Sequence, residues 1–143
     1  MRKIVATALL GLLAACGSNE DDTTTFKTAD GETVTIAERK GESASWPEGF
    51  SPYPDAQVVS DMSMGTDDAT DQIITFESED APDDIADFYR GQAEKAGFAI
   101  NMDFKVDGDR LLTAQAPDGR TFSMNTETAA DVTEVSLSIS GGG

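Results

Sequence analysis

From residue 98 to residue 106 the even positions Phe98, Ile100, Met102, Phe104 and Val106 are all apolar, and Ala99, Asn101, Asp103 and Lys105 stand between them. A period of two predicts a strand with one buried face. Immediately upstream the period changes. Ile85, Phe88, Tyr89, Gln92, Ala93 and Ala96 recur at helical spacing and predict a helix over residues 81–96. Asp80 is its expected cap, Pro82 suits the first turn, and Asp83 and Asp84 favour the positive end of the helix. Lys95 suits the last turn, and Gly97 supplies a left-handed stop.

Two strands, over residues 57–64 and 72–79, flank the acidic segment 65–71. After the helix, Asp107-Gly108-Asp109 and Pro117-Asp118-Gly119-Arg120 punctuate strands over residues 98–106, 110–116 and 121–126. A last strand over residues 132–140 carries Val135, Leu137 and Ile139 on one face. Earlier in the chain, residues 26–36 read as a hairpin around Asp30-Gly31, which supplies the positive φ of a tight turn, and residues 38–45 as a loop. The pattern of strand, strand, helix and four-strand meander predicts an α+β fold. It is a single antiparallel sheet with one helix packed on one face, and the pattern leaves open whether the hairpin joins it. Three prolines and three aromatics crowd residues 46–56, which predicts an irregular crossing segment. Its aromatics either pack onto the core or form a ledge for a peptide or sugar.

The start of the chain follows different rules. Arg2 and Lys3 precede a twelve-residue apolar run, residues 4–15, that ends in small residues, the layout of a secretory signal. Twelve helical residues reach about 18 Å, short of a hydrocarbon core of about 30 Å. Leu13-Ala14-Ala15-Cys16 resembles the bacterial lipobox, an aliphatic residue and two small ones before a cysteine. The resemblance implies a diacylglycerol on the Cys16 thiol, cleavage between Ala15 and Cys16, and an acyl chain on the new amine, palmitate being typical. Gly17 follows where an aspartate would resemble an inner-membrane retention signal. The expected address is therefore the cell envelope, on the periplasmic face of the outer membrane in a Gram-negative host. The expected organisation is a signal peptide (residues 1–15), a lipidated flexible tether (16–25), a hairpin and linker (26–45), an α+β domain (46–140) and a frayed tail (141–143). Glu20-Asp21-Asp22 reads as solvated tether rather than a cation site.

Composition narrows the chemistry. Cleavage removes 15 of 143 residues and two bases, leaving 128 residues at a formal charge of −19 against −17 for the whole chain. That charge disfavours nucleic acid as a partner. With no histidine and one cysteine, Ser–His and Cys–His nucleophiles and His- or Cys-ligated zinc are excluded. The acidic segment 65–71 lacks the central glycine and closing glutamate of a calcium loop. No metal or cofactor is expected. Asp55, Asp67, Asp71 and Glu77 are available for carboxylate-pair chemistry, but their spacing selects no pair.

The mature region also resembles a family of small uncharacterised bacterial lipoproteins. Residues 49–59 (Gly-Phe-Ser-Pro-Tyr-Pro-Asp-Ala-Gln-Val-Val), Ile74-Thr75-Phe76-Glu77, Asp84-Ile85-Ala86-Asp87-Phe88-Tyr89-Arg90 and Ala96-Gly97-Phe98 carry the likeness. Members commonly read Tyr-Pro-Gly-Ala where this chain has Tyr53-Pro54-Asp55-Ala56, and often place a large residue at Phe98. The resemblance spans about residues 46–140, implies the α+β architecture and the cell envelope, and brings no enzymatic activity. The expected function is a membrane-anchored, non-catalytic interaction or structural domain with an envelope protein partner. The alternative is a small-ligand or cation-binding module built on the acidic loops or the Trp46–Tyr53 segment.

Overall fold

A computed structural model describes residues 22–29, 33–39, 44–65 and 70–141. The expected signal peptide (residues 1–15), Cys16, the expected Asp30-Gly31 turn, Asp67 and the last two glycines lie outside the described residues. Eight strands and one helix follow in the order β1 (Asp22–Lys27), β2 (Thr33–Arg39), β3 (Gln57–Gly65), β4 (Thr70–Ser78), α1 (Pro82–Lys95), β5 (Ala99–Val106), β6 (Asp109–Gln115), β7 (Thr121–Ala129) and β8 (Val132–Ser140). All eight strands form one antiparallel sheet ordered β1-β2-β3-β4-β8-β7-β6-β5.

The α+β architecture read from the pattern is present, and the hairpin joins the sheet through β2 and β3. The hairpin is also longer than expected. Asp22 and the β-branched run Thr23–Thr25, expected in the tether, pair with residues 35–38. Glu38 and Arg39, expected in a loop, continue β2 opposite Met62 and Asp61. A run of threonines favours a pleated backbone over a solvated coil.

Helix α1 lies across β5, β6 and β7 on one face of the sheet. Its N-cap is Ala81, with no side-chain cap. The Asp80 carboxylate, expected to cap, instead accepts the Tyr53 hydroxyl at 2.8 Å. At the other end Phe98 N–H reaches the Ala93 carbonyl (2.9 Å) and Gly97 N–H the Glu94 carbonyl (3.1 Å). With Gly97 at φ 91°, this is the Schellman stop that the glycine predicted. Ile85, Ala86, Tyr89 and Ala93 are the buried residues of the helix. Phe88 sits at its margin, half-buried and edge-on to Tyr53 and Tyr89, both at 5.0 Å.

Two β-bulges redirect the sheet's side chains. In β5, Ile100 pairs with Ala114 and Met102 with Thr113, leaving Asn101 extra. An extra residue reverses the alternation beyond it. Met102, Phe104 and Val106, expected in the core, therefore point outward at 40, 55 and 64% exposure. Asp103 and Lys105 turn toward the helix in their place. In β3 the extra residue is Val59, and beyond it Asp61 turns inward and is fully buried. Asp61 accepts Ser45 N–H and the Gln72 amide, both at 2.7 Å, and so pins the start of the crossing segment to β3 and β4.

The uncovered face of the sheet is ordered in rows running across the strands. One row reads Thr75, Ser136, Asn125, Leu111, Phe104 from β4 to β5. The next reads Met62, Ile73, Ser138, Ser123, Thr113, Met102. Between β3 and β5 neither contains a charge; Glu38 of β2 stands next to Met62. On one side of them lies a row of Glu77, Glu134 and Glu127 in direct register. On the other side lies Asp71, with Ser140 and Thr121 beyond it.

Candidate functional site

The crossing segment, residues 44–56, shares the covered face with α1. Trp46 and Tyr53 lie over Phe76 of β4 at ring separations of 6.4 Å, and Phe50 stacks on Phe122 of β7 at 5.1 Å. Phe50 and Tyr53 are buried, so this segment builds core rather than an exposed ledge. Pro54 and Asp55 then turn the chain into β3. Asp55 has φ 58°, and Ala56 N–H closes the turn on the Tyr53 carbonyl at 3.2 Å. A positive φ at the third position of a turn favours glycine, and aspartate tolerates it.

This turn forms one wall of a cleft of ≈ 380 Å³ lined by Pro54, Asp55, Gln57, Glu77, Ser78, Glu79, Asp80 and Val132. Gln57 and Glu77 are cross-strand partners, which is how two acids 22 positions apart, Asp55 and Glu77, come to line one cleft. Of the other candidate acids, Asp71 stands at the far end of β4 beside Ser140, and Asp67 lies outside the described residues. Glu79, the last residue of the predicted second strand, and Asp80, expected only as a helix cap, complete the acidic lining.

Hydrogen bonds organise the floor of the cleft. Asp80 N–H donates to Ser78 Oγ at 3.1 Å, and the Thr133 hydroxyl donates to the Asp80 carbonyl at 2.9 Å. Burial, followed by the hydrogen bond to the Asp80 carboxylate, pushes the Tyr53 phenol up to about 12. Tyr53 thus holds the cleft together as a neutral donor and is a poor proton carrier near neutrality. Among the described residues no three His, Cys, Asp or Glu side chains are grouped to hold a metal ion. The cleft therefore offers spread negative charge and hydrogen-bond acceptors, with no converging ligand set.

Tyr89 and Arg90 are both held in the fold. The buried Tyr89 hydroxyl donates to the Ser51 carbonyl at 3.2 Å, and Arg90 pairs with Asp103. A second, shallower hollow of ≈ 510 Å³ lies between Gly97, Asn101, Gln115 and Pro117.

No curated protein and no solved structure matches the chain. The profile of the START domain-like family matches residues 58–136, from β3 through most of β8. More than half of the chain is covered, including the strands that carry Glu77, Ser78 and Val132. The chain belongs to the START domain-like family.

Proposed function

We propose that the chain is a bacterial envelope lipoprotein, cleaved between Ala15 and Cys16 and anchored through lipid on Cys16, whose domain is a non-catalytic interaction module. The observation that carries the address is Leu13-Ala14-Ala15-Cys16 directly after a charged and apolar leader. Membership in the START domain-like family supports a binding role for the domain, and so do the neutral Tyr53 phenol and the lack of histidine. One acyl chain binds a membrane only marginally, so a persistent anchor needs the additional chains that a lipobox implies.

Metabolic labelling with palmitate tests the anchor. The wild-type chain should incorporate label and fractionate with membranes, whereas Cys16→Ser should accumulate as an unlabelled precursor. Equal labelling of the two would sink the assignment. Affinity capture from solubilised envelopes tests the role of the domain, and recovery of no specific protein above background argues against an interaction module.

A second reading, a small-ligand or cation-binding module, is favoured by the acidic cleft at Asp55, Glu77, Glu79 and Asp80. Spread charge suits an extended amine better than a compact metal ion. Calorimetry with calcium and with a polyamine separates the cases, and heats equal to dilution for both dismiss this reading.

A further inference from the structure

Across the middle of the sheet's outer face a strongly acidic chain places no charge between β3 and β5. The chain carries 27 Asp and Glu, yet the two central rows across this face hold only hydroxyls, amides and apolar groups. Most of the exposed large apolar residues stand toward the two ends of this face. Phe26, Met62, Met64 and Ile73 lie toward β1–β4, at 38 to 46% exposure. Met102, Phe104, Val106 and Leu111 lie toward β5 and β6, at 37 to 64%. Contiguous exposed apolar surface rimmed by polar groups marks an interaction site.

We infer that a second copy of this chain docks on this face, sheet against sheet, about a two-fold axis that runs along the rows. Two in-plane axes are available to an isologous pair. An axis along the strands would lay the Glu77–Glu134–Glu127 row on its own copy, which like charge opposes. An axis along the rows, between the Ser136 row and the Ser138 row, exchanges those two neutral rows. It also sets each glutamate row over the Asp71–Ser140–Thr121 row of the second copy, so that Glu134 and Glu127 face hydroxyls and Glu77 alone faces an acid, Asp71. Strand order is preserved, so each apolar end meets its own counterpart. From β3 to β5 the four rows cover about 29 Å by 27 Å at ordinary strand and residue spacings. That is on the order of 800 Å² per copy, the size of a standard stable interface. The twist of two such sheets fits aligned packing at about −30°.

The inference rests on this face alone and is independent of the anchor. Its test uses the intact chain, whose sole native thiol is Cys16. One variant carries Ser138→Cys beside the axis, and another carries Glu94→Cys on the exposed side of α1. A bismaleimide spanning about 10 Å, the spacing of face-packed sheets, should couple Ser138→Cys chains into a species of twice the chain mass. Glu94→Cys and wild-type chains should give background only. Adding Phe104→Glu should lower the Ser138→Cys yield at least tenfold. Adding Asp71→Lys should raise it severalfold, because that substitution sets positive charge against Glu77 of the second copy. Coupling of Ser138→Cys no greater than of Glu94→Cys overturns the proposal. Coupling to a chain of different mass, or a yield lowered by Asp71→Lys, overturns it equally.

Discussion

The Arg110 guanidinium donates to Asp103 at 2.5 Å from the inward side of β5, one step out of the alternation that Phe98 and Ile100 begin. The same guanidinium reaches Asp83 of α1 at 2.6 Å, Lys105 reaches that carboxylate at 2.6 Å, and Arg90 pairs with Asp103. The bulge at Asn101 thus replaces an apolar contact between strand edge and helix with an ion cluster. It also protects an edge strand, because bulges and inward-pointing charges both discourage pairing with another chain.

Removing one member should expose the cost of the rest. Asp103 and Arg110 side chains are 22 and 12% exposed, and Arg110 Nε is buried without a hydrogen-bond partner among the described residues. Asp103→Ala should lower stability by about 2–3 kcal/mol, because it leaves the largely buried guanidinium with only the half-exposed Asp83 carboxylate. Urea unfolding measures the loss, and a change within about 0.5 kcal/mol would show the cluster to be idle.

Acid should act through Asp83. Hydrogen bonds from Lys105 and then Arg110 hold its carboxyl below the usual carboxylate range. A carboxyl depressed in the folded state adds stability above its unfolded value, near 3.9, and loses it as pH falls through the folded value. Asp83→Asn should therefore lower Tm at pH 7, with the gap to wild type closing as pH drops below about 4. A gap that persists at pH 2 would mean that the charge is not what matters.

Alkali should act through the tyrosines. The chain has two, Tyr53 and Tyr89, and burial pushes both phenols up, Tyr53 to about 12. At pH 10, where a free phenol is half-ionised, the folded chain should show almost no phenolate absorbance. A phenol raised in the folded state adds stability below 10 and loses it as pH climbs toward 12. Phenolate should appear together with unfolding, and a smooth titration centred at 10 in folded protein would contradict the burial of both rings.

Backbone strain is concentrated in the β7–β8 turn, where Ala130 has φ 48° and Asp131 φ 68°. Alanine in the left-handed region costs about 1–2 kcal/mol, which glycine avoids. Ala130→Gly should gain about 1 kcal/mol, and Asp55→Gly should gain somewhat less, since aspartate tolerates this region better. Calorimetry checks both, and a lower Tm in Ala130→Gly would remove the turn as a source of strain.

Gly49 shows the opposite behaviour. It has φ 88°, and an added Cβ would come within 2.8 Å of Ala96 Cβ. Gly49→Ala should cost about 2–4 kcal/mol from strain and overpacking together. Adding Ala96→Gly should recover only the steric part, so full recovery by the pair would show the backbone to be unstrained.

The sequence patterns that proved legible are those whose period is unbroken. Val135, Leu137 and Ile139 face the core as the alternation of β8 predicts, and the glycine stop of α1 stands where helical spacing ends. The bulges were illegible, because Val59 and Asn101 look like ordinary strand residues and their effect appears only in the register with β4 and β6. The helix stripe was right in direction, with Ile85, Tyr89 and Ala93 buried and Phe88 at its margin. The cleft was legible in half of its acids, Asp55 and Glu77, and not in their meeting, which depends on the pairing of Gln57 with Glu77.

Strand β1 begins at Asp22, and this fixes a reach. With Cys16 held in a bilayer as proposed, the chain between that residue and the sheet can extend at most about 20 Å. A domain of this length has a radius of gyration of about 14 Å and so a diameter of about 36 Å, and the leash is shorter than the body it holds. The domain would skim the membrane with the β1 edge nearest the lipid, confined to a layer little thicker than itself. In such a layer neighbouring copies meet as if at a far higher concentration than the cell average. A weak mutual affinity that escapes notice in dilute solution would then be enough to pair them.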